Sequence, residues 1–251
     1  MIQKNNIDGI VLLDKPSMMS SNQAIQKIKR EFNLTKIGHT GTLDPLATGL
    51  LPLCLGKATR IARFLIDSDK TYHATIQLGE KTSTGDKEGE VIETSSVDLP
   101  GDSEVEQIIQ SFVGNQEQIP PMYSALKFKG QRLYKLAIKG IDVPRKSRAI
   151  KIHSIDLLYV GKNKLELVIK CSKGTYIRTL AEDIAREFQS VGHIDQLRRL
   201  NISCFGTQEM HSMKKITSSD ALDAFLLPID APLGHLKKID ISNSESSMFC
   251  N

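Results

Sequence analysis

The chain has 251 residues, 40% of them hydrophobic and 25% charged, with 33 Lys and Arg against 29 Asp and Glu for a formal charge of +4. This is the composition of an ordinary soluble globular protein, with one large domain carrying insertions as the default. No apolar run approaches the roughly 20 residues of a membrane span, and the start MIQKNN lacks the apolar core of a leader, so a cytoplasmic protein is expected. Cys54, Cys171, Cys204 and Cys250 show neither CxxC nor HExxH spacing, which excludes a zinc site or disulfide framework on pattern; all four are expected reduced and the first three buried.

In chain order, the apolar run at 7–13 ends at Asp14-Lys15-Pro16, as a strand entering a loop does. Ser20 or Ser21 can cap a helix whose inner face carries Ala24, Ile25, Ile28 and Phe32. Beyond a Gly-rich segment, residues 50–55 read as a buried strand and 57–66 as a helix with Ala58, Ile61, Ala62 and Leu65 inward. Residues 70–78 alternate, Tyr72, Ala74, Ile76 and Leu78 on one face and Thr71, His73, Thr75 and Gln77 on the other. Residues 80–90 read as a polar loop, and 103–113 as a helix with Val105, Ile108, Ile109 and Phe112 inward. Two strands follow at 149–160 and 164–172 around a turn at 161–163. Gly174 breaks the second, Thr175 is placed to cap, and 176–188 is the strongest amphipathic helix, with Ile177, Leu180, Ala181, Ile184 and Phe188 in one stripe and Tyr176 and Arg178 outside it.

Residues 38–60, GHTGTLDPLATGLLPLCLGKATR, form the densest run of backbone-special residues. Its glycines permit unusual φ, its prolines fix φ, and the lone carboxylate, Asp44, precedes Pro45, which biases it away from the α region. A P-loop fails because Gly49 to Gly56 is too long and Ala58 follows Lys57; a GxGxxG fingerprint is absent. On residues alone the segment is either a shaped chemical loop or an Asp-Pro turn in a Gly/Thr-rich connection.

Charge is unevenly placed. Between Lys127 and Arg148 lie Lys127, Lys129, Arg132, Lys135, Lys139, Arg145, Lys146 and Arg148 against Asp142 alone, a segment of +7 that leaves 4 − 7 = −3 elsewhere. Residues 118–148 therefore read as a proline-bounded basic insertion with a short helix near 132–138. It is either a site for a polyanion or a solvated charged loop.

The stretch GHTGTLDPLATGLLP resembles the signature of the TruB family, the tRNA pseudouridine-55 synthases. The likeness continues in family order through LDKPSMMSSN (13–22), KTYHA (70–74), TGDKEG (84–89), PPMYSALK (120–127), CSKGTYIRTL (171–180) and LRR (197–199), spanning about residues 8–232. The resemblance implies an α+β pseudouridine synthase fold, a mixed and largely antiparallel sheet flanked by helices, with no cofactor and tRNA, through its T-arm, as partner to a monomer. It assigns the nucleophile to Asp44, its charge partner to Arg178, and help with C5 proton removal to Tyr176. Tyr72 and Leu197 would sandwich the flipped uracil, His39 would help displace the base, and Lys15 and Asp86 lie beneath or near the site. Lys127, Lys129 and Arg132 in the insertion would clamp the tRNA. Whether Asp44 attacks C1′ or C6 stays open, as does synthesis on another RNA or a tRNA-folding role independent of catalysis. After Pro232 the likeness departs: family members usually continue into a PUA-like domain, whereas residues 233–251 are a short polar tail.

Overall fold

The computed structural model describes residues 5–240 and 242. Its strands are β1 (Gly9–Lys15), β2 (Ile37–His39), β3 (Thr48–Leu55), β4 (Lys70–Leu78), β5 (Glu80–Thr82), β6 (Val91–Thr94), β7 (Gly114–Gln118), β8 (Lys127–Phe128), β9 (Gln131–Arg132), β10 (Arg148–Val160), β11 (Lys164–Cys171), β12 (Gly192–Ile202), β13 (His211–Ser212) and β14 (Leu226–Leu227). Helices α1 (Ser21–Glu31), α2 (Ala62–Ile66), α3 (Asp102–Ser111), α4 (Leu133–Ala137), α5 (Ile177–Glu187) and α6 (Met213–Thr217) pack around them. Ten strands share one sheet in the order β13-β1-β3-β12-β4-β11-β10-β7, with β14 on β1 and β2 on β3. Pairing is antiparallel except for β1 with β13 and β12 with β3, so the expected mixed, largely antiparallel α+β architecture is what forms.

The two faces of the sheet explain the sequence pattern. Val11, Leu13, Leu51 and Leu53 enter the main core, whereas Ile10, Leu12, Leu50 and Cys54 enter a second, smaller one. β1 and β3 therefore bury both faces and read as unbroken apolar runs. The β4 face with Tyr72, Ala74, Ile76 and Leu78 is buried, and the α5 stripe packs against the same core. Ser20 caps α1 with a full capping box, its side chain accepting from Gln23 N while the Gln23 side chain accepts from Ser20 N.

Some expectations are corrected. The 57–66 helix is a 3₁₀ turn, Gly56–Arg60, followed by α2, and within it Ala58 and Leu65 are buried while Ile61 and Ala62 are half-buried. The 80–90 loop contains β5, which pairs with an unforeseen exposed strand, β6. Tyr176, not Thr175, is the N-cap of α5 and is extended, while the Thr175 hydroxyl donates to Ser172 O. Of the cysteines, Cys54 and Cys171 are buried but Cys204 is exposed, because β12 has ended and its segment turns at the surface; Cys250 lies outside the described residues. Most of the 233–251 tail also lies outside them. No described helix is long and apolar enough to cross a membrane.

Candidate active site

The sheet delivers the site from its centre. Adjacent strands β4 and β12 place Tyr72 opposite Arg199, and Leu197 opposite Ala74. Register shifts flank this stretch of β12, between Ile194 and Gln196 and between Arg199 and Asn201, so the strand is bulged on both sides of the residues it aims. Leu197 and Arg199 consequently share the Tyr72 face, and Arg198 turns away to grip Asp14 with two bonds of 3.1 and 3.0 Å. The loop from β2 to β3 brings Asp44 over this face. Gly49, just beyond it, has φ of 96°, and a Cβ there would collide with the Arg199 carbonyl, so only glycine lets β3 run beside β12.

These elements enclose a cavity of about 260 Å³ lined by Asp44, Tyr72, Tyr176, Arg178, Leu197 and Arg199 among others. That is small beside sites for drug-sized ligands, about 300–1,000 Å³, and suits a single ring. Arg178, which helical periodicity sets outside the α5 stripe, is only 4% exposed. Its Nη2 donates to Asp44 Oδ1 at 3.1 Å and to Tyr123 O at 2.7 Å, and its Nη1 donates to Thr84 O at 2.7 Å. Nε lies 2.8 Å from Asp44 Oδ2, close enough for an ion pair though not aligned as a hydrogen bond. A cation in the first turn of a helix opposes the helix dipole, and the Asp44 carboxylate offsets that cost.

Burial raises the Asp44 pKa above the ordinary aspartate range; the Arg178 charge opposes this most strongly, Asp86 adds to the rise and Lys15 opposes it. The side chain nevertheless keeps 32% of its surface open toward the cavity, so an ionised oxygen can be reached. Asp86 is buried, 3.9 Å from Arg178 Nε, with Oδ1 accepting from the Thr84 hydroxyl at 2.6 Å and Glu88 N at 3.1 Å. It is a second anion behind the arginine, outside the cavity wall.

Lys15 is fully buried beneath the loop. Its ammonium donates to Pro16 O, Met19 O and Pro45 O at 2.9, 2.5 and 3.1 Å, tying β1 to the residue after Asp44. Burial lowers its pKa to about 8 despite the nearby Asp44 and Glu88 charges, so it is still mostly protonated at neutral pH. His39 is not brought to the cavity wall. Its Nδ1 accepts from Gly41 N at 3.2 Å, which fixes the loop, and burial, with the Arg199 charge, lowers its pKa so that the ring is neutral at pH 7. Burial likewise raises the Tyr72 pKa, against the opposing Arg199 charge, and keeps the phenol neutral.

Among the wall residues that escaped sequence reasoning as site residues are Arg199, Lys70, Ser124 and Arg148. Arg199 is 1% exposed, its Nε donating to Leu50 O at 2.7 Å and Nη2 to Gly41 O at 3.2 Å. Lys70 is buried against Leu65 O, Ile66 O and Ser68 O, its pKa lowered to about 8 by burial and then by Arg199. Ser124 and Arg148 also line the cavity. Their position within the motif stretches KTYHA, PPMYSALK and LRR was the available signal for Lys70, Ser124 and Arg199; Arg148 had none.

Lys127, Lys129 and Arg132 lie together and exposed on a β8–β9 hairpin. Its turn residues Lys129 and Gly130 have φ of 46° and 83°, as a two-residue hairpin turn with both residues left-handed requires. Lys129 lies over the Phe128 ring, and Arg132 Nη1 donates to Ala125 O. No described group of His, Cys, Asp and Glu could hold a metal ion.

A half-buried carboxylate fixed by two arms of an arginine, facing an aromatic ring and a leucine in a cavity of one-ring size, defines a site for covalent or electrostatic work on a planar base. Residues 29–177 match the family model for the TruB family pseudouridylate synthase N-terminal domain, and residues 178–234 match the tRNA pseudouridylate synthase B C-terminal domain. The chain belongs to the TruB family of pseudouridine synthases and is an isomerase of that class. It is 49% identical over 232 residues to tRNA pseudouridine synthase B of Nitrosococcus oceani, covering 90% of this chain and 75% of that protein. To the protein of the same name from Neisseria meningitidis it is 46% identical, covering 93% and 76%. A solved chain of a Cbf5-Nop10-Gar1 complex superposes with TM-score 0.72 at 26% identity, covering 91% of this chain and 62% of that one.

Proposed function

We propose that the chain isomerises a uridine of tRNA, position 55 in the T-arm, to pseudouridine, as a cytoplasmic monomer whose site is completed within one chain and with Asp44 as nucleophile. The observation that carries the assignment is the Asp44–Arg178 pair, with contacts of 2.8 and 3.1 Å, on the wall of a cavity that also holds Tyr72, Tyr176 and Leu197. The reaction breaks the C1′–N1 bond, turns the uracil and joins C5 to C1′; H5 leaves as a proton and N1 gains one. The base must first leave its stack, and Tyr72 and Leu197 receive it between them. Arg178 holds Asp44 ionised and oriented against the burial that favours protonation, and attack falls on C1′ or C6 of the ring. Tyr176 assists removal of H5. Cations of the basic arm hold the RNA by its phosphates.

The test is pseudouridine mapping in RNA from cells lacking the gene, complemented with the wild type or with Asp44→Asn. Loss of pseudouridine at one tRNA position, restored by the wild type alone, supports the assignment. Restoration by Asp44→Asn would reject the nucleophile, and loss at an rRNA position would reject the substrate.

A further inference from the structure

The basic arm, residues 119–147, leaves the sheet at the end of β7 and returns at the start of β10, where the register sets Arg148 opposite Gln118. Both of these root residues reach Tyr176. Gln118 is 3% exposed, and its amide brackets the tyrosine's own backbone: Oε1 accepts from Tyr176 N at 2.8 Å and Nε2 donates to Tyr176 O at 3.0 Å. A carboxamide supplies this donor and acceptor side by side without needing a proton from solvent, which an ionised carboxylate cannot do. The Arg148 guanidinium carbon lies 4.6 Å from the centre of the Tyr176 ring, held there by Nη2 donating to Gly174 O. Its Nε is buried and without a hydrogen-bond partner, and the residue lines the same cavity as Asp44. Five residues beyond Gln118, Tyr123 O accepts from the Arg178 guanidinium. The root of the arm therefore touches Tyr176 at its peptide and its ring, and touches Arg178 as well.

We propose that Gln118 and Arg148 are positioning residues for the chemical step, a two-point clamp that fixes the peptide and ring of Tyr176 so that an arm docked on RNA sets the geometry at the reacting base. The proposal rests on the reading above that places Tyr176 against the uracil. It separates Arg148 from the other cations of its segment. A phosphate ligand would point outward and act on affinity, whereas a planar guanidinium stacked on a ring acts through that ring.

The experiment is single-turnover tritium release from [5-³H]uridine-labelled tRNA at saturating enzyme, with tRNA Kd and thermal melting measured on the same preparations. The variants are Arg148→Ala, Arg148→Lys, Gln118→Glu and the Arg148→Ala/Gln118→Glu double, with Asp44→Asn alongside. Arg148→Ala and Gln118→Glu should each slow release at least tenfold while Kd stays within threefold. Arg148→Lys should recover only part of the rate, and the double variant should be little slower than the worse single, because both act through Tyr176. An unchanged saturated rate with weaker, less salt-sensitive binding would make Arg148 a phosphate ligand and overturn the clamp. If Arg148→Ala melts early, Arg148→Lys decides the matter in the same way. Rapid release by Asp44→Asn would instead overturn the underlying functional reading, whereas an inactive Asp44→Asn beside wild-type rates for the clamp variants would overturn the clamp alone.

Discussion

The cleft and the basic arm both depend on cations, and they handle them in opposite ways. In the cleft Arg178, Arg199, Lys15 and Lys70 are between 0 and 7% exposed and each is fixed by backbone carbonyls, those of Arg178, Arg199 and Lys15 coming from more than one place in the fold and those of Lys70 from the adjoining segment 65–68. In the arm Lys127, Lys129, Lys135, Lys139 and Lys146 are solvated and make no ion pair among the described residues; Arg145 has Asp142 at 3.3 Å. Dehydrating a cation is costly unless its donors are met, and of these four Arg178 and Lys15 are the charges that act on Asp44. Exposed lysines cost little to carry and remain free to meet phosphates. Charge is preorganised in one region and left uncommitted in the other.

The sharpest break in that comparison is Asp44→Asn, which keeps the shape and removes the charge that the buried cations serve. Single-turnover release should fall on the order of 10⁴-fold or more while tRNA Kd stays within a few-fold. Arg178→Lys keeps a charge but loses the fork that meets Asp44 and two carbonyls together, so the same assay should show about a 10²–10³-fold loss. In the wild type and in Arg178→Lys the rate should rise with pH through a group titrating above the ordinary aspartate range, because burial raises the Asp44 pKa and the ionised form is the proposed nucleophile. Tyr72→Ala should lose about 1–3 kcal/mol of stacking, read as slower saturated release, and Tyr72→Phe should keep most activity; equal impairment of the two would assign the role to the hydroxyl.

The arm answers to a different measurement. Replacing Lys127, Lys129 and Arg132 with Ala should make the slope of log K against log salt shallower by about 0.9 for each duplex phosphate that is no longer neutralised, with saturated release unchanged. A slowed chemical step in that variant would mean that the hairpin, and not only the root at Gln118 and Arg148, reaches the site.

What could be read from the sequence divides along the same line. The β4 alternation and the α5 stripe were legible because period alone reports which face is buried, and the arm was legible because uncompensated charge is visible in one dimension. Arg199 and Lys70 were passed over, since a periodicity argument assigns every cation to solvent, and Arg178 and Lys15 were placed at the site by motif resemblance and not by period. Their partners, such as Thr84 for Arg178, Leu50 for Arg199 and Pro45 for Lys15, are brought close only by the fold. The β5–β6 hairpin was missed because its exposed strand VIET has no buried face to generate a pattern. His39, which the motif implies helps displace the base, also fixes the loop by accepting from the amide of Gly41, a contact that only the fold displays.

The smallest expected effect tests whether the cleft's cations are held at a cost. Lys15 and Lys70 both have pKa values lowered from 10.5 to about 8 in the folded chain, with burial as the largest cause. Between those values the unfolded chain binds more protons than the folded one, so each lysine makes stability rise with pH, by up to about 1.4 kcal/mol per pH unit for one proton. Their contribution is complete above the unfolded value and lost as pH falls through about 8. Buried Cys54 and Cys171 act in the opposite sense, with pKa values raised from 9.0 to about 11, so the useful window is about pH 7 to 8.5, where the unfolded thiols are still mostly protonated. Urea unfolding in that window should give a rising stability for the wild type and a shallower rise for Lys15→Met. The variant will be less stable throughout, because Pro16 O, Met19 O and Pro45 O lose their donor; the slope is the diagnostic, since it reports the proton and not the missing hydrogen bonds. An unchanged slope would show that Lys15 titrates alike in the folded and unfolded chains, and that the support under Asp44 is held without the cost of a dehydrated charge.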